Sequence, residues 1–302
     1  MTQDHALFDA LRAACPDVRV LAEESLARHT SFRIGGPAQC FAQPKTAEEL
    51  AALLRACRGL GVQPRVLGAG TNVLAPDAGT DGVVLCTKDA LTGLSHEGST
   101  IRAMAGQTLA QAAVYARDLG LSGLEFAHGI PGTVGGGVYM NAGAYGGELA
   151  QVCRRVGVMT MEGETRELCG GELRFGYRTS VFETLGAIIL WAEFTLTPAD
   201  PDAVRARMQE LMQKRRASQP LDLPSAGSAF KRPQTGYAAQ MIDEAGLRGY
   251  RCGGAAVSEK HAGFIVNLGG ATAQDVQAVI QGVQQTVLTR TGVRLEPEIR
   301  IW

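Results

Sequence analysis

Between Gly129 and Gly147 the chain reads GIPGTVGGGVYMNAGAYGG, eight glycines in nineteen residues and no charged side chain. Glycine at this density lets backbone N–H groups approach a bulky anion at φ values that other residues avoid. The interleaved Ile130, Val134, Val138, Tyr139 and Met140 place the stretch inside a packed domain, because flexible linkers are polar and serine-rich. These residues favour a cradle for a large cofactor over a linker.

A chain of 302 residues, 45% of them hydrophobic, has material for about two domains with their own cores. Lys and Arg total 29 against 30 Asp and Glu, a net charge of -1, which leaves no electrostatic footprint for nucleic acid or an acidic membrane. Any anionic ligand must be held locally. The seven cysteines (Cys15, Cys40, Cys57, Cys86, Cys153, Cys169, Cys252) are odd in number and never spaced as CxxC, so neither a disulfide framework nor a zinc site is expected. The histidines, His5, His29, His96, His128 and His261, match no ligand pattern, and no metal is expected. His128 abuts the glycine stretch, where it either orients a cofactor or packs. The opening MTQDHALFDALRAACPD lacks a basic start followed by an apolar run, and no segment reaches bilayer length. A cytoplasmic protein without a membrane partner is the expectation.

Capping and period locate the helices. In TAEELAALLRACRGLG, Thr46 and Glu49 predict a capping box, Leu50, Leu53, Leu54 and Cys57 follow helical spacing, and Gly59 with Gly61 ends the run. Thr108 and Gln111 open a second helix that Gly120 closes. Strand-like runs RVLG and GVVLC lie between them. After the glycine stretch come VGVMTME and AIILWAEFTLTP, with Leu190, Ala192, Phe194 and Leu196 expected on one face. Pro198 and Pro201 break that pattern, and a charged helix from Pro201 to Ala217 follows with Asp200 as N-cap. The last hundred or so residues hold a short helix near 239–245, strands GGAAVS and GFIVNL, and a capped helix from Thr272. The terminal RLEPEIRIW alternates Arg294, Glu296, Glu298 and Arg300 with Leu295, Pro297, Ile299 and Ile301.

Three further constellations carry chemistry. VLGAGTNVL starts as a dinucleotide fingerprint, Gly68-x-Gly70, but its third position is Val73, so the full pattern fails. A strand entering a turn with Gly68, Ala69, Gly70, Thr71 and Asn72 still offers donors to a pyrophosphate, and two uncharged glycine-rich loops suit two ends of one large cofactor. In FGYRTSVF, Arg178 is either an ion-pair partner or a clamp for a carboxylate. In PSAGSAFKRP, Ser228 precedes Lys231 and Arg232 in a small-residue loop where serine is ordinarily a turn former, and no G-x-S-x-G elbow makes it an acyl nucleophile.

Taken in order, HTSFRIGG, VLGAGTNVL, GIPGTVGGGVYMNAGAYGGE, FGYRTS, GSAFKRP, GGAAVSEKHAGFIVN and LEPEIR run through nearly the whole chain. The combination resembles the UDP-N-acetylenolpyruvoylglucosamine reductase family, flavoenzymes of peptidoglycan precursor synthesis, in the shorter class without an extra substrate-capping loop. The resemblance implies an α+β chain: a two-subdomain FAD-binding fold of the vanillyl-alcohol-oxidase/PCMH type with a smaller C-terminal α+β substrate domain. The expected parts are residues 1–80 with the returning strand 291–302, residues 81–198, and a substrate domain at 199–290. It also implies UDP-N-acetylmuramate dehydrogenase activity, non-covalent FAD, NADPH as reductant, UDP-N-acetylglucosamine enolpyruvate as substrate, and a monomer. Carried over by position, Arg178, Ser228 as proton donor and Glu298 are the catalytic residues. Gly68, Ala69, Gly70, Thr71, Asn72, Gly129, Ile130, Pro131, Gly132, Thr133, Gly135, Gly136, Asn141, Ala142, Gly143 and Arg300 are the cofactor residues, and Arg178, Lys231 and Arg232 meet the substrate. Arg232 departs from the family's FKNP, which has asparagine there. A same-fold flavin oxidase and a non-catalytic flavin or nucleotide-sugar binder are the rival readings.

Overall fold

The computed structural model describes residues 6–302; His5 lies outside them. The chain divides into two compact units. The first comprises the chain up to Glu24, Gln39–Ala69 and Asp81–Gln213; the second comprises Ser25–Ala38, Gly70–Thr80 and Lys214–Trp302.

The first unit holds two cores. One lies under a sheet with strand order Arg19–Ser25, Pro37–Gln43, Thr80–Cys86, Arg65–Leu67, and joins Leu50, Leu53, Leu54 and Cys57 of helix Ala47–Gly59 to Leu11, Cys40, Val83 and Leu85. Thr46 caps that helix by accepting from the Glu49 N–H at 3.1 Å. The returning bond of the expected box lands one residue out: the Glu49 carboxylate accepts from Lys45 N–H at 2.7 Å. The other core lies under an antiparallel sheet of order Thr165–Cys169, Cys153–Thr160, Ala187–Thr195, Thr100–Met104, Leu94–Glu97. Helices Leu109–Asp118, with the complete Thr108–Gln111 box, and Val134–Tyr139 bury their apolar residues in the same core.

The strand Ala187–Thr195 departs from its expected alternation. Gly157 pairs with Trp191 and Val158 with Ile189, so Leu190 is an extra residue in the ladder. A bulge of this kind reverses which side chains face which layer. Ile189, Ala192 and Phe194 enter the second core, while Ile188 and Leu190 turn to the first. Leu190 therefore does not share a face with Ala192 and Phe194. Gly157 is part of the cause, since a Cβ there would overlap the indole of Trp191.

The second unit is an antiparallel sheet of order Ser225–Ser228, Phe264–Asn267, Ala255–Val257, Arg251–Cys252, with helices Ala238–Glu244 and Ala273–Thr291. Val276, Val279, Ile280, Val283 and Val287 form the long helix's apolar stripe, against Ile242, Ile265, Leu295 and Ile299. Its N-terminus is closed by the Thr272–Asp275 box and by Asp77, whose carboxylate accepts from Ala273 N–H at 2.7 Å and Gln274 N–H at 3.2 Å.

The unit boundaries differ from the expected parts. Arg300–Ile301 pairs in parallel with Val73–Leu74, and Asn267, 6% exposed, donates to the Phe32 carbonyl at 2.9 Å. These bonds hold 25–38, 70–80 and the terminal strand in the unit that contains Lys214–Trp302, and the division falls inside helix Pro201–Ser218 rather than at Pro198. The Asn267 side-chain Oδ1 also accepts from Gly269 and Ala271 N–H. Asn267→Ala strands three buried or half-buried backbone groups, and urea unfolding is expected to show a loss of about 2–3 kcal/mol; a loss under about 0.5 kcal/mol would show that these bonds do not anchor the segment.

Candidate functional site

The glycine-rich stretch folds as a turn, a short helix and a second turn. Thr133, 1% exposed, caps Val134–Tyr139 by accepting from Gly136 N–H at 3.2 Å. The N–H groups that begin the helix are taken by protein: Val134 donates to Gln107 O at 2.7 Å, Gly135 to Ala105 O at 2.9 Å and Gly137 to Thr133 O at 2.8 Å. That accounting removes this helix start as the anion-binding element. Packing explains its glycines as well, because a Cβ on Gly135 would come 3.0 Å from Ala105 and one on Gly137 2.9 Å from Leu109.

The loop after strand Arg65–Leu67 behaves differently. The backbone N–H groups of Gly68, Ala69 and Gly70 find no acceptor among the described residues, and neither does that of Gly132 in the other loop. Consecutive unpaired N–H groups, one of them on the buried Gly70, suit a pyrophosphate. Gly70 has φ +61°, and a Cβ there would overlap the His29 carbonyl oxygen. Gly68 and Thr133, both in the first unit, approach closely, since a Cβ on Gly68 would stand 2.6 Å from Thr133 Oγ1. Cys86 supports this loop: its thiol, pushed up to about 11 by burial, stays protonated and donates to Gly68 O at 3.7 Å. The unpaired N–H groups and the absence of charged side chains in these loops suit the pyrophosphate of FAD. Gly68, Ala69, Thr71, Asn72, Gly129, Ile130, Pro131, Gly132, Gly136, Ala142, Gly143 and Arg300 present surface, while Gly70, Thr133, Gly135 and Asn141 are buried.

Arg178 sits at the tip of a turn. Gly176 and Thr179 exchange backbone bonds of 3.0 and 3.3 Å, and Arg178 has φ +54°. The left-handed region costs an L-residue roughly 1–2 kcal/mol, so neighbours must enforce it. Ser180 donates to Tyr139 O at 2.7 Å, Asn141 donates to Gly176 O at 2.9 Å, and the Arg178 guanidinium donates to Gly143 O at 3.0 Å. All three tethers run to the glycine-rich stretch.

In the second unit the remaining two candidates come together. Phe230 bridges Pro297, Glu298 N–H donates to Ala229 O at 2.9 Å, and Lys231 N–H donates to Glu296 O at 2.8 Å. Ser228, exposed at the end of its strand, and the half-buried Glu298 therefore lie on neighbouring backbone segments. Asn72 holds the second segment twice, donating from its side chain to Glu298 O at 3.0 Å and accepting from Arg300 N–H at 2.9 Å. The terminal alternation survives through Leu295 and Ile299 and fails at Ile301, which is 45% exposed, because the pairing partner changes from the Ala229 segment to strand Val73–Leu74. Lys231 forms an ion pair with Glu296 at 2.5 Å, and the Arg232 guanidinium lies 4.2 Å over the Tyr237 ring. His128 is half-buried, and its Nδ1 has no hydrogen-bond partner among the described residues. Burial and the Arg117 charge lower its pKa, which keeps the ring neutral at pH 7. Among the described residues no His, Cys, Asp or Glu group is arranged to hold a metal ion, and no helix is long and apolar enough to cross a membrane.

The positions that sequence reasoning missed are the tethers: Ser180, Gly176 and the framework role of the two asparagines. Nothing in the residue pattern marks them, since a side chain that bonds a distant carbonyl leaves no local period.

An α+β flavoprotein of the FAD-binding class is what these loops and sheets define. A model described as "FAD binding domain" matches residues 38–168, and one described as "UDP-N-acetylenolpyruvoylglucosamine reductase, C-terminal domain" matches 219–302. The UDP-N-acetylenolpyruvoylglucosamine reductase of Lachnoclostridium phytofermentans is 42% identical over 302 residues, 99% of this chain and 97% of that protein. The solved reductase of Thermus caldophilus superposes with a TM-score of 0.81 at 36% identity, covering 94% and 98% of the two chains. Glucooligosaccharide oxidase of Acremonium strictum, with a TM-score of 0.51 at 14% identity over 97% of this chain and 60% of its own, shares the fold alone. The chain belongs to the UDP-N-acetylenolpyruvoylglucosamine reductase family.

Gly70→Ala is expected to lower FAD affinity at least about tenfold, a 1.4 kcal/mol effect, because it displaces the unpaired N–H groups. Flavin fluorescence titration of the apoprotein measures it, and unaltered affinity would remove this loop from the cofactor site.

Proposed function

We propose that the chain reduces UDP-N-acetylglucosamine enolpyruvate to UDP-N-acetylmuramate, a step of peptidoglycan precursor synthesis, with non-covalent FAD and NADPH as reductant. Family membership supports the reaction, and the observation that carries its assignment to residues is the pairing of the Ser228 strand with the Glu298 segment. In this reading the two glycine-rich loops hold FAD, with Arg300 as a further cofactor contact, and Lys231 and Arg232 of the second unit serve the substrate. A monomer in the cytoplasm, where nucleotide sugars and NADPH are made, completes it.

FAD held on the two glycine-rich loops would supply the hydride chemistry that links NADPH to the terminal carbon of the enolpyruvyl group. Charge then develops on the neighbouring carbon and spreads into the substrate carboxylate. Arg178 meets that carboxylate with a guanidinium fork. Glu298 polarises the carboxylate when protonated, or orients the guanidinium when ionised. Ser228 gives its hydroxyl proton to the enolate carbon, a base strong enough to take it, and recovers a proton from the solvent to which it is exposed. Lys231 and Arg232 face the diphosphate in this reading; Arg232, stacked on Tyr237, offers a flat cation where the family has an amide.

Under anaerobic conditions the yellow protein is expected to bleach with NADPH and to recover its colour on addition of the enolpyruvyl nucleotide sugar. Recovery with oxygen alone indicates an oxidase, and failure to bleach indicates a binder. Ser228→Ala is expected to leave bleaching intact and to slow recovery about 10²- to 10⁴-fold; equal slowing of both steps would remove Ser228 as the acid. Glu298→Gln is expected to retain flavin and slow recovery alone, whereas flavin loss would make Glu298 structural.

A further inference from the structure

We infer that Asn141 is a positioning residue for Arg178, acting through the backbone carbonyl that closes the Arg178 turn. The inference rests on the catalytic role given to Arg178 above and assigns Asn141 a different part from the cofactor contact its place in MNAG implies.

Asn141 is 1% exposed, so its side chain has no surface to give a ligand. Both ends of its amide are committed to protein. Nδ2 donates to Gly176 O at 2.9 Å, and Oδ1 accepts from Ala150 N–H at 2.9 Å. Gly176 O is also the acceptor for Thr179 N–H at 3.3 Å, across the two residues Tyr177 and Arg178. One carbonyl thus serves both the turn and its anchor. The long turn bond is weak alone, and the second donor fixes the carbonyl that defines the turn's plane.

The position demands an asparagine. Its own backbone has φ +43°, a region where Asn is enriched, and the amide puts a donor and an acceptor on separate atoms of one short side chain, which a single hydroxyl oxygen does not. Aspartate has the same shape but, when ionised, turns an acceptor toward Gly176 O. Two residues further on, Gly143 O receives the Arg178 guanidinium at 3.0 Å. The segment 141–143 therefore holds the arginine at both ends, by its turn and by its charged tip. Asn141→Ala or Asn141→Asp releases the first hold and leaves the second.

The test uses both variants as FAD-loaded full-length protein in two half-reactions, with amide hydrogen exchange on the same samples. Expected are flavin content and NADPH reduction within twofold of the parent, reoxidation by the enolpyruvyl nucleotide sugar slowed about 10²-fold, as a misplacement of about 1 Å would do, and faster exchange at Thr179 N–H with the Leu109–Asp118 helix unchanged. Combined with Arg178→Ala, Asn141→Asp is expected to add little to the loss, since a positioning residue has nothing left to position. Loss of flavin, equal slowing of both half-reactions, full additivity, or unchanged reoxidation overturns the assignment. If Asn141→Ala fails to fold, Asn141→Asp decides; failure of both makes Asn141 structural and also overturns it. A parent protein that never reoxidises with this substrate fails the functional reading itself, and faster exchange at Thr179 in the variants would still establish the tie.

Discussion

The Gly176 carbonyl carries more of this protein's chemistry than its size suggests. It accepts from the Thr179 and Asn141 donors at once, and between Gly176 and Thr179 the chain must hold an arginine in a left-handed conformation. A side chain on Gly176 would stand 2.9 Å from the Thr179 methyl, so the turn is closed from the inside as well. Strain of this kind persists only where several bonds agree on it. Tyr139, Asn141 and Gly143 supply that agreement from a single neighbouring segment.

The same economy of means appears in the second unit. Glu298 is held by its backbone: its N–H goes to Ala229, its carbonyl receives the Asn72 side chain, and the Arg300 N–H two residues later returns to the Asn72 carbonyl. Asn72 in turn lies in a loop anchored by the Ser31 N–H to Gly70 O, 3.1 Å. The carboxylate itself is spent on none of these bonds. In both units the backbone around the candidate residue is fixed by bonds to a neighbouring segment, and Arg178 is tied by its guanidinium to Gly143 O as well.

Local signals in the sequence read well where a short-range rule decided the outcome. The caps at Thr46, Thr108 and Thr272 and the stripe Leu50, Leu53, Leu54, Cys57 stand where period and capping place them. Long-range choices were not legible. Leu190 obeys strand alternation by itself and fails it because Gly157, on another strand, makes room for the Trp191 ring and the ladder slips. Arg300–Ile301 pairs with Val73–Leu74, and that partner strand lies with its own loop in the second unit, which no local pattern reveals. In the site, Arg178, Ser228 and Glu298 stood out through the resemblance of their motifs to the family. Asn141 and Asn72 were visible only as members of glycine-rich loops, because the carbonyls they hold are 35 and 226 residues away.

Neutral tethers have a chemical logic of their own. An acidic residue in place of Asn141 would lose the donor to Gly176 O, and a carboxylate brought toward the guanidinium would also compete with the carboxylate of a substrate for the same charge. The amide of Asn141, the hydroxyl of Ser180 and the carbonyl of Gly143 orient the arginine through dipoles and take no share of its formal charge. Donors fixed beforehand and aimed at a developing anion need little rearrangement when charge appears. A glycine-rich segment that packs its own helix start against Ala105 and Gln107 is rigid enough to serve as that frame. The density of glycine that first marks this chain thus does two kinds of work: at Gly68 to Gly70 it leaves backbone donors open, and from Gly135 to Gly143 it lets the backbone approach closely enough to hold an arginine in place.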